Sequence, residues 1–224
     1  MANRGQMLAL VAYSGHMWEL YSVWTYFLLL YRDSWKRENG VNELLVEEKA
    51  TSSLLTFGVV GSAAFSCMLA GYYADKLGRC MTCIMSLSVS GGCSLLFGPL
   101  AWGGTRQAVL VPLGLLWGAS VIAESAQFSA ISTELAEPSQ VGTALTLQMA
   151  VGFAFTILSI FVVPLVESHY SWAAATPILA IGPAIGIVVC HWVCVRCYFL
   201  LSMSDIADAS RQCCCCEAPT KQGR

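Results

Sequence analysis

The sequence predicts an all-α membrane protein of six spanning helices, and three observations carry that expectation. Of the 224 residues, 56% are hydrophobic and only 12% charged, whereas about a quarter of a soluble domain is charged. Six apolar runs, each close to the ~20 residues a helix needs to cross hydrocarbon, are separated by polar segments. None alternates every second residue as a barrel strand would, and backbone in lipid must satisfy its own hydrogen bonds, which a helix does. The formal net charge of −2 offers no basic face, so no nucleic-acid partner is expected.

The runs cover residues 8–30, 53–72, 81–100, 109–131, 141–166 and 173–201. Residues 1–202 read as one membrane domain and 203–224 as a cytoplasmic Cys-rich tail. The first run is too long for a secretory signal and carries His16 and Glu19. These two are three apart and share a helical face, a pair able to trade a proton near neutral pH. A carboxylate inside a membrane is costly and normally faces the bundle interior or a wet cavity. Hydrogen bonding of the two residues to each other or to a neighbouring helix is the competing reading. Trp18, Tyr21 and Trp24 read as packing or cavity wall.

The second run is rich in Gly, Ala and Ser, which lets membrane helices approach closely. Between it and the third run lies the charged hinge Gly71-Tyr-Tyr-Ala-Asp75-Lys76-Leu-Gly78-Arg79-Cys80. Gly71 and Gly78 are expected to allow the turn or a close approach. Asp75 is expected to cap the next helix, and Lys76 and Arg79 to favour the cytoplasmic side. In the third run, Cys80, Cys83 and Cys93 read as small apolar fillers.

The fourth run places Glu124 and Gln127 at the same three-residue spacing as His16 and Glu19. Glu134, Glu137 and Pro138 then signal a helix start. Gln148 is the strongly polar residue of the fifth run, read as an interhelical hydrogen bond. In the sixth, Gly182 and Gly186 suit close packing and Pro183 a kink. The tail carries Cys213, Cys214, Cys215 and Cys216 just past the last run, positions suited to reversible acylation, with Cys194 and Cys197 as further candidates. Four adjacent thiols suit one metal ion poorly. No metal set, cofactor motif, phosphate loop or nucleophile triad is legible, so no enzyme is expected. Basic residues lean towards both termini being cytoplasmic, with Arg4, Lys76, Arg79, Arg196, Arg211, Lys221 and Arg224 inside. Which membrane holds the chain is not encoded.

The hinge resembles the glycine–aspartate–basic signature between the second and third helices of each half of the major facilitator superfamily, matching at Gly71, Asp75, Lys76, Gly78 and Arg79 and departing at Cys80. Three further stretches resemble the C-terminal six-helix half of bacterial-type members. They are Gly15-His16-Met17-Trp18-Glu19-Leu20-Tyr21, Glu124-Ser125-Ala126-Gln127-Phe128-Ser129 and Val141-Gly142-Thr143-Ala144-Leu145-Thr146-Leu147-Gln148. The resemblance runs from about Leu8 to Leu201. It implies half of a major facilitator fold, six helices as two inverted three-helix repeats. It also implies that the hinge is a conformational latch against the opposite half, and that His16, Glu19, Glu124 and Gln127 face the transport path.

The implied function is secondary active transport of a small solute by alternating access, symport or antiport, with Glu19 or Glu124 carrying a coupled proton. The implied partners are membrane lipid, the solute and a second six-helix half, because full members have two such halves. That half would be another copy, a separate chain or the rest of a longer one. The alternative expectation is a non-transporting membrane interaction protein that binds other membrane proteins.

Overall fold

The computed structural model describes residues 4–203, with side chains through residue 195. The acylation candidates Cys197, Cys213, Cys214, Cys215 and Cys216 lie outside the described side chains. Among the described residues the fold is entirely helical: α1 (Arg4–Asn39), α2 (Val46–Leu77), α3 (Arg79–Trp102), α4 (Gln107–Ala123), α5 (Ser125–Leu135), α6 (Val141–His169), α7 (Trp172–Leu179) and α8 (Ile181–Met203). α4 with α5, and α7 with α8, form two interrupted rods. The second interruption follows from Pro183, which has no N–H for the Leu179 carbonyl one turn earlier.

Among the described residues, five helices are long and apolar enough to cross a membrane: Val46–Leu77, Arg79–Trp102, Gln107–Leu135, Val141–His169 and Trp172–Val195. They correspond to the second through sixth predicted runs. The first run departs from expectation. It belongs to α1, 36 residues long, or ~54 Å at the helical rise, and α1 does not reach the apolarity of the other five. The reason lies in its surroundings. α1 packs along α6 and α8 and also touches α2, α3, α4, α5 and α7, and its buried positions include Tyr13, His16, Met17, Glu19, Val23, Phe27 and Tyr31. A helix sheathed by protein carries polar side chains that a lipid-facing helix could not.

α2 packs chiefly on α4, and α3 on α4, α7 and α8. The outer faces of α2 and α6 are apolar and exposed, at Leu54, Phe57, Phe65 and Met68 on one and Phe153, Ile157, Phe161 and Leu165 on the other. In water such patches are a liability; in a bilayer they are the surface that lipid covers.

Glycine sets the closest crossings. A Cβ on Gly15 would sit 2.5 Å from the Gly182 carbonyl oxygen, so α1 and α8 touch backbone to backbone. Gly118 of α4 leaves no room for a side chain beside Val59 of α2, and Gly152 of α6 none beside Tyr13 and Met17 of α1. Helix ends gather in two groups. At one, Arg37 stacks over the Trp102 ring, 3.4 Å from its centroid. There the Gln107 backbone N–H also donates to Glu38 (3.0 Å), and Trp172 Nε1 to Asp33 (2.9 Å). The α2–α3 junction and the end of α5 lie at the other.

The predicted hinge is much tighter than a loop. α2 runs to Leu77 and α3 starts at Arg79, leaving Gly78 alone between them, at φ 86° and ψ 155°. Only glycine adopts that backbone without strain. Gly71 lies within α2 with no foreign atom within 4 Å of a Cβ, so it supports no close approach inside this chain. Asp75 falls in the last turn of α2, and α3 begins without any side-chain cap. The expected capping role of Asp75 is therefore corrected: with a one-residue junction, Asp75 is still helical where a cap would have to be extended.

Candidate functional site

The four predicted intramembrane residues all lie inside the bundle. His16, Glu19 and Glu124 are 0% exposed and Gln127 4%. Burial this complete is unusual for charged residue types unless they are paired, so their partners decide what they can do.

His16 and Glu19 share α1 but address different neighbours. His16 Nδ1 lies 3.0 Å from Glu124 Oε1, with the rings of Tyr13 and Phe128 at 5.8 and 6.0 Å. Glu19 Oε1 instead accepts a 2.8 Å hydrogen bond from Trp117 Nε1 of α4. The α4–α5 rod thus presents Trp117 and Glu124, seven residues apart on one side, to Glu19 and His16. Glu124 is the residue at which the rod is interrupted.

One polar atom of each of the three ionisable side chains is left over. His16 Nε2, Glu19 Oε2 and Glu124 Oε2 are buried and have no hydrogen-bond partner. Leaving one such group unpaired costs roughly 1–3 kcal/mol, and several together mark a site that stability alone does not explain.

Gln127, one turn past Glu124, accepts from Arg79 Nη1 at 3.1 Å. Arg79 also binds Glu134 through Nη2 (2.6 Å) and Nε (2.8 Å), the pair being 30% exposed on each side. Arg79 therefore has its partners within this chain, on α5. Lys76 lies over the Tyr72 ring and bonds its hydroxyl, and Asp75 is exposed. Gln148 bonds Ser132, the interhelical contact expected of it.

Sequence reasoning missed two residues. Trp117 lies within the apolar run 109–131, and an indole N–H gives no sign in hydropathy of seeking an acid. Glu134 read as a helix-start signal, and its place opposite Arg79, 55 residues earlier, depends on helix packing. Among the described residues, no group of three or more His, Cys, Asp or Glu could hold a metal ion.

A cavity of about 320 Å³ is a groove between α1, α6 and α8 lined by residues such as Leu10, Val11, Gly15, Phe155 and Ile185. Its polar groups are already used: Ser14 Oγ donates to the Leu10 carbonyl and Trp18 Nε1 to that of Ile178. It would take an apolar occupant only.

These features define an all-helical protein with several helices apolar enough to span a membrane and a sealed acid–imidazole cluster at its centre. No family model matches the chain, and no curated protein matches it.

Proposed function

We propose that the chain is half of a secondary active transporter, built as two inverted three-helix repeats, that moves a small solute by alternating access with proton coupling. The observation that carries this reading is a buried carboxylate on each opening rod, Glu19 on α1 and Glu124 at the α4–α5 interruption, each with one unpaired oxygen. Intramembrane acids of this kind mark ion and substrate pathways, and interrupted helices at such sites are a transporter trait.

The packing supports the repeat. Exchange α1 with α4–α5, α2 with α6, and α3 with α7–α8. The contact of α1 on α6 becomes that of α4 on α2; α1 on α8 becomes α4 on α3; α2 on α3 becomes α6 on α7. Each member of these pairs is a packed contact here. The glycines follow suit, Gly152 at the α1–α6 crossing and Gly118 at the α2–α4 crossing.

In this reading a second six-helix half, another copy, a separate chain or the rest of a longer one, completes the path. Gly71, Asp75, Lys76, Gly78 and Arg79 form the latch at the end that faces the cytoplasm with both termini, with Arg79 held by Glu134 of the same chain, and the tail cysteines are acylated. Catalysis is not assigned to the chain.

The test has two arms. Native mass in mild detergent should exceed the 24.1 kDa of one chain, and proteoliposomes should show proton movement driven by a solute, lost in Glu124→Gln. A monomer without flux would favour the second reading, a membrane interaction protein. That reading rests on its own observation: the acids are sealed, and the cavity between α1, α6 and α8 is apolar.

A further inference from the structure

The contact between His16 and Glu124 uses one atom of each group and leaves the other unpaired, His16 Nε2 on one side and Glu124 Oε2 on the other. An imidazole whose two nitrogens are distinguished in this way is a proton relay in form: a proton received at one nitrogen releases the proton held at the other. Glu19 is built differently. Its hydrogen-bonded partners are the Trp117 indole N–H, which donates and cannot accept, and the Ser90 hydroxyl, so Glu19 has no imidazole or other base beside it to take up a proton.

We propose that the His16–Glu124 pair is the proton-binding site of this bundle, loaded at His16 Nε2, and that Glu19 is a fixed acid positioned by Trp117 that does not exchange. The proposal rests on the transporter reading for its use, but the site itself is independent of transport.

Loading begins with Glu124 ionised and His16 neutral, its Nδ1–H donated to Oε1. A hydronium ion reaching the opened bundle gives its proton to Nε2, forming an N–H bond and leaving water. The Nδ1–H bond then breaks, and that proton joins Oε1. The loaded pair is a neutral carboxylic acid beside a neutral imidazole protonated at Nε2. Unloading reverses the two transfers, so no other reactant is needed.

The titratable and charged groups around the pair come from three elements, α1, α3 and α8. Tyr13 and Glu19 lie on α1 itself. Cys190 of α8 and Glu19 are within electrostatic range of Glu124, and Cys93 of α3 is within range of Glu19. Arg79 of α3 stands beyond Gln127 of α5. Among these, only His16 combines a hydrogen bond to an acid with a free second nitrogen.

The chain has three histidines, which makes nitrogen NMR of 15N-histidine protein in bilayers practicable, with His16 assigned by its loss in His16→Gln. As the pH is lowered, His16 should pass from the Nδ1–H form to the Nε2–H form. The infrared C=O stretch of a protonated carboxylic acid should grow over the same range. Both changes should vanish in Glu124→Gln and persist in Glu19→Gln and Trp117→Phe. A His16 that keeps one form throughout, or a response that survives Glu124→Gln or disappears in Glu19→Gln, overturns the proposal. Should Glu124→Gln fail to fold, the wild-type His16 titration decides alone. Absence of solute flux with the titration intact would count against the transporter reading and leave the proton site standing.

Discussion

His16 and Glu124, 108 residues apart in the chain, meet through Nδ1 and Oε1 at 3.0 Å with neither side chain exposed. Their contact joins the longest helix to the interruption between α4 and α5, so it belongs to packing and to chemistry at once. Replacing either partner alone leaves the other buried and unsatisfied. A double-mutant cycle with His16→Leu and Glu124→Leu, read from unfolding in detergent, should give a coupling of about 1–2 kcal/mol, with the double variant more stable than the sum of the single losses implies. Additive losses would mean that the two residues act separately.

The α1–α8 crossing leaves no room at Gly15. In Gly15→Ala the new methyl meets the Gly182 carbonyl at 2.5 Å, and backbone cannot step aside as a side chain can. The expected loss is about 1–3 kcal/mol, typical of overpacking, seen as a lower unfolding midpoint and increased aggregation on size exclusion.

Gly71 and Gly78 should part company. Gly78→Ala forces a side chain into a backbone region that costs on the order of 1–3 kcal/mol. Gly71→Ala enters open space within a helix and should be neutral or stabilising by up to about 1 kcal/mol. If Gly71→Ala keeps its stability yet blocks transport in proteoliposomes, Gly71 packs against something outside this chain. That is the outcome the latch reading expects.

Arg79 and Glu134 are each 30% exposed, so solvent screens their pairing. Glu134→Gln should change stability by less than about 1 kcal/mol. Its effect should appear instead in the rate of exchange between conformations, measured by cysteine accessibility at the α2–α3 junction. A large stability loss would show the pair to be a structural strut.

Acylation of the tail is checked by intact mass. A hydroxylamine-sensitive increment should be present in the natural protein and absent after Cys213, Cys214, Cys215 and Cys216 are all changed to Ser. An increment that survives those changes would place the lipid elsewhere.

Hydropathy, a local property, was enough to determine the helical membrane class, the position of most spans and the short list His16, Glu19, Glu124 and Gln127. An ionisable residue inside an apolar run announces itself without a structure. The same reasoning took α1 for a run as apolar as the others, because a local property does not say whether protein or lipid will surround a helix. It also read Asp75 as a cap, because element ends are set by the single residue Gly78 and not by the charged stretch as a whole. The pairing of the buried groups belongs to tertiary structure alone. Residues three apart on a helix point about 60° away from each other, close enough to share a face and far enough apart to address different helices. Sequence spacing therefore left His16 and Glu19 as natural partners. Packing of α1 against the interrupted α4–α5 rod instead gave His16 to Glu124 and Glu19 to Trp117.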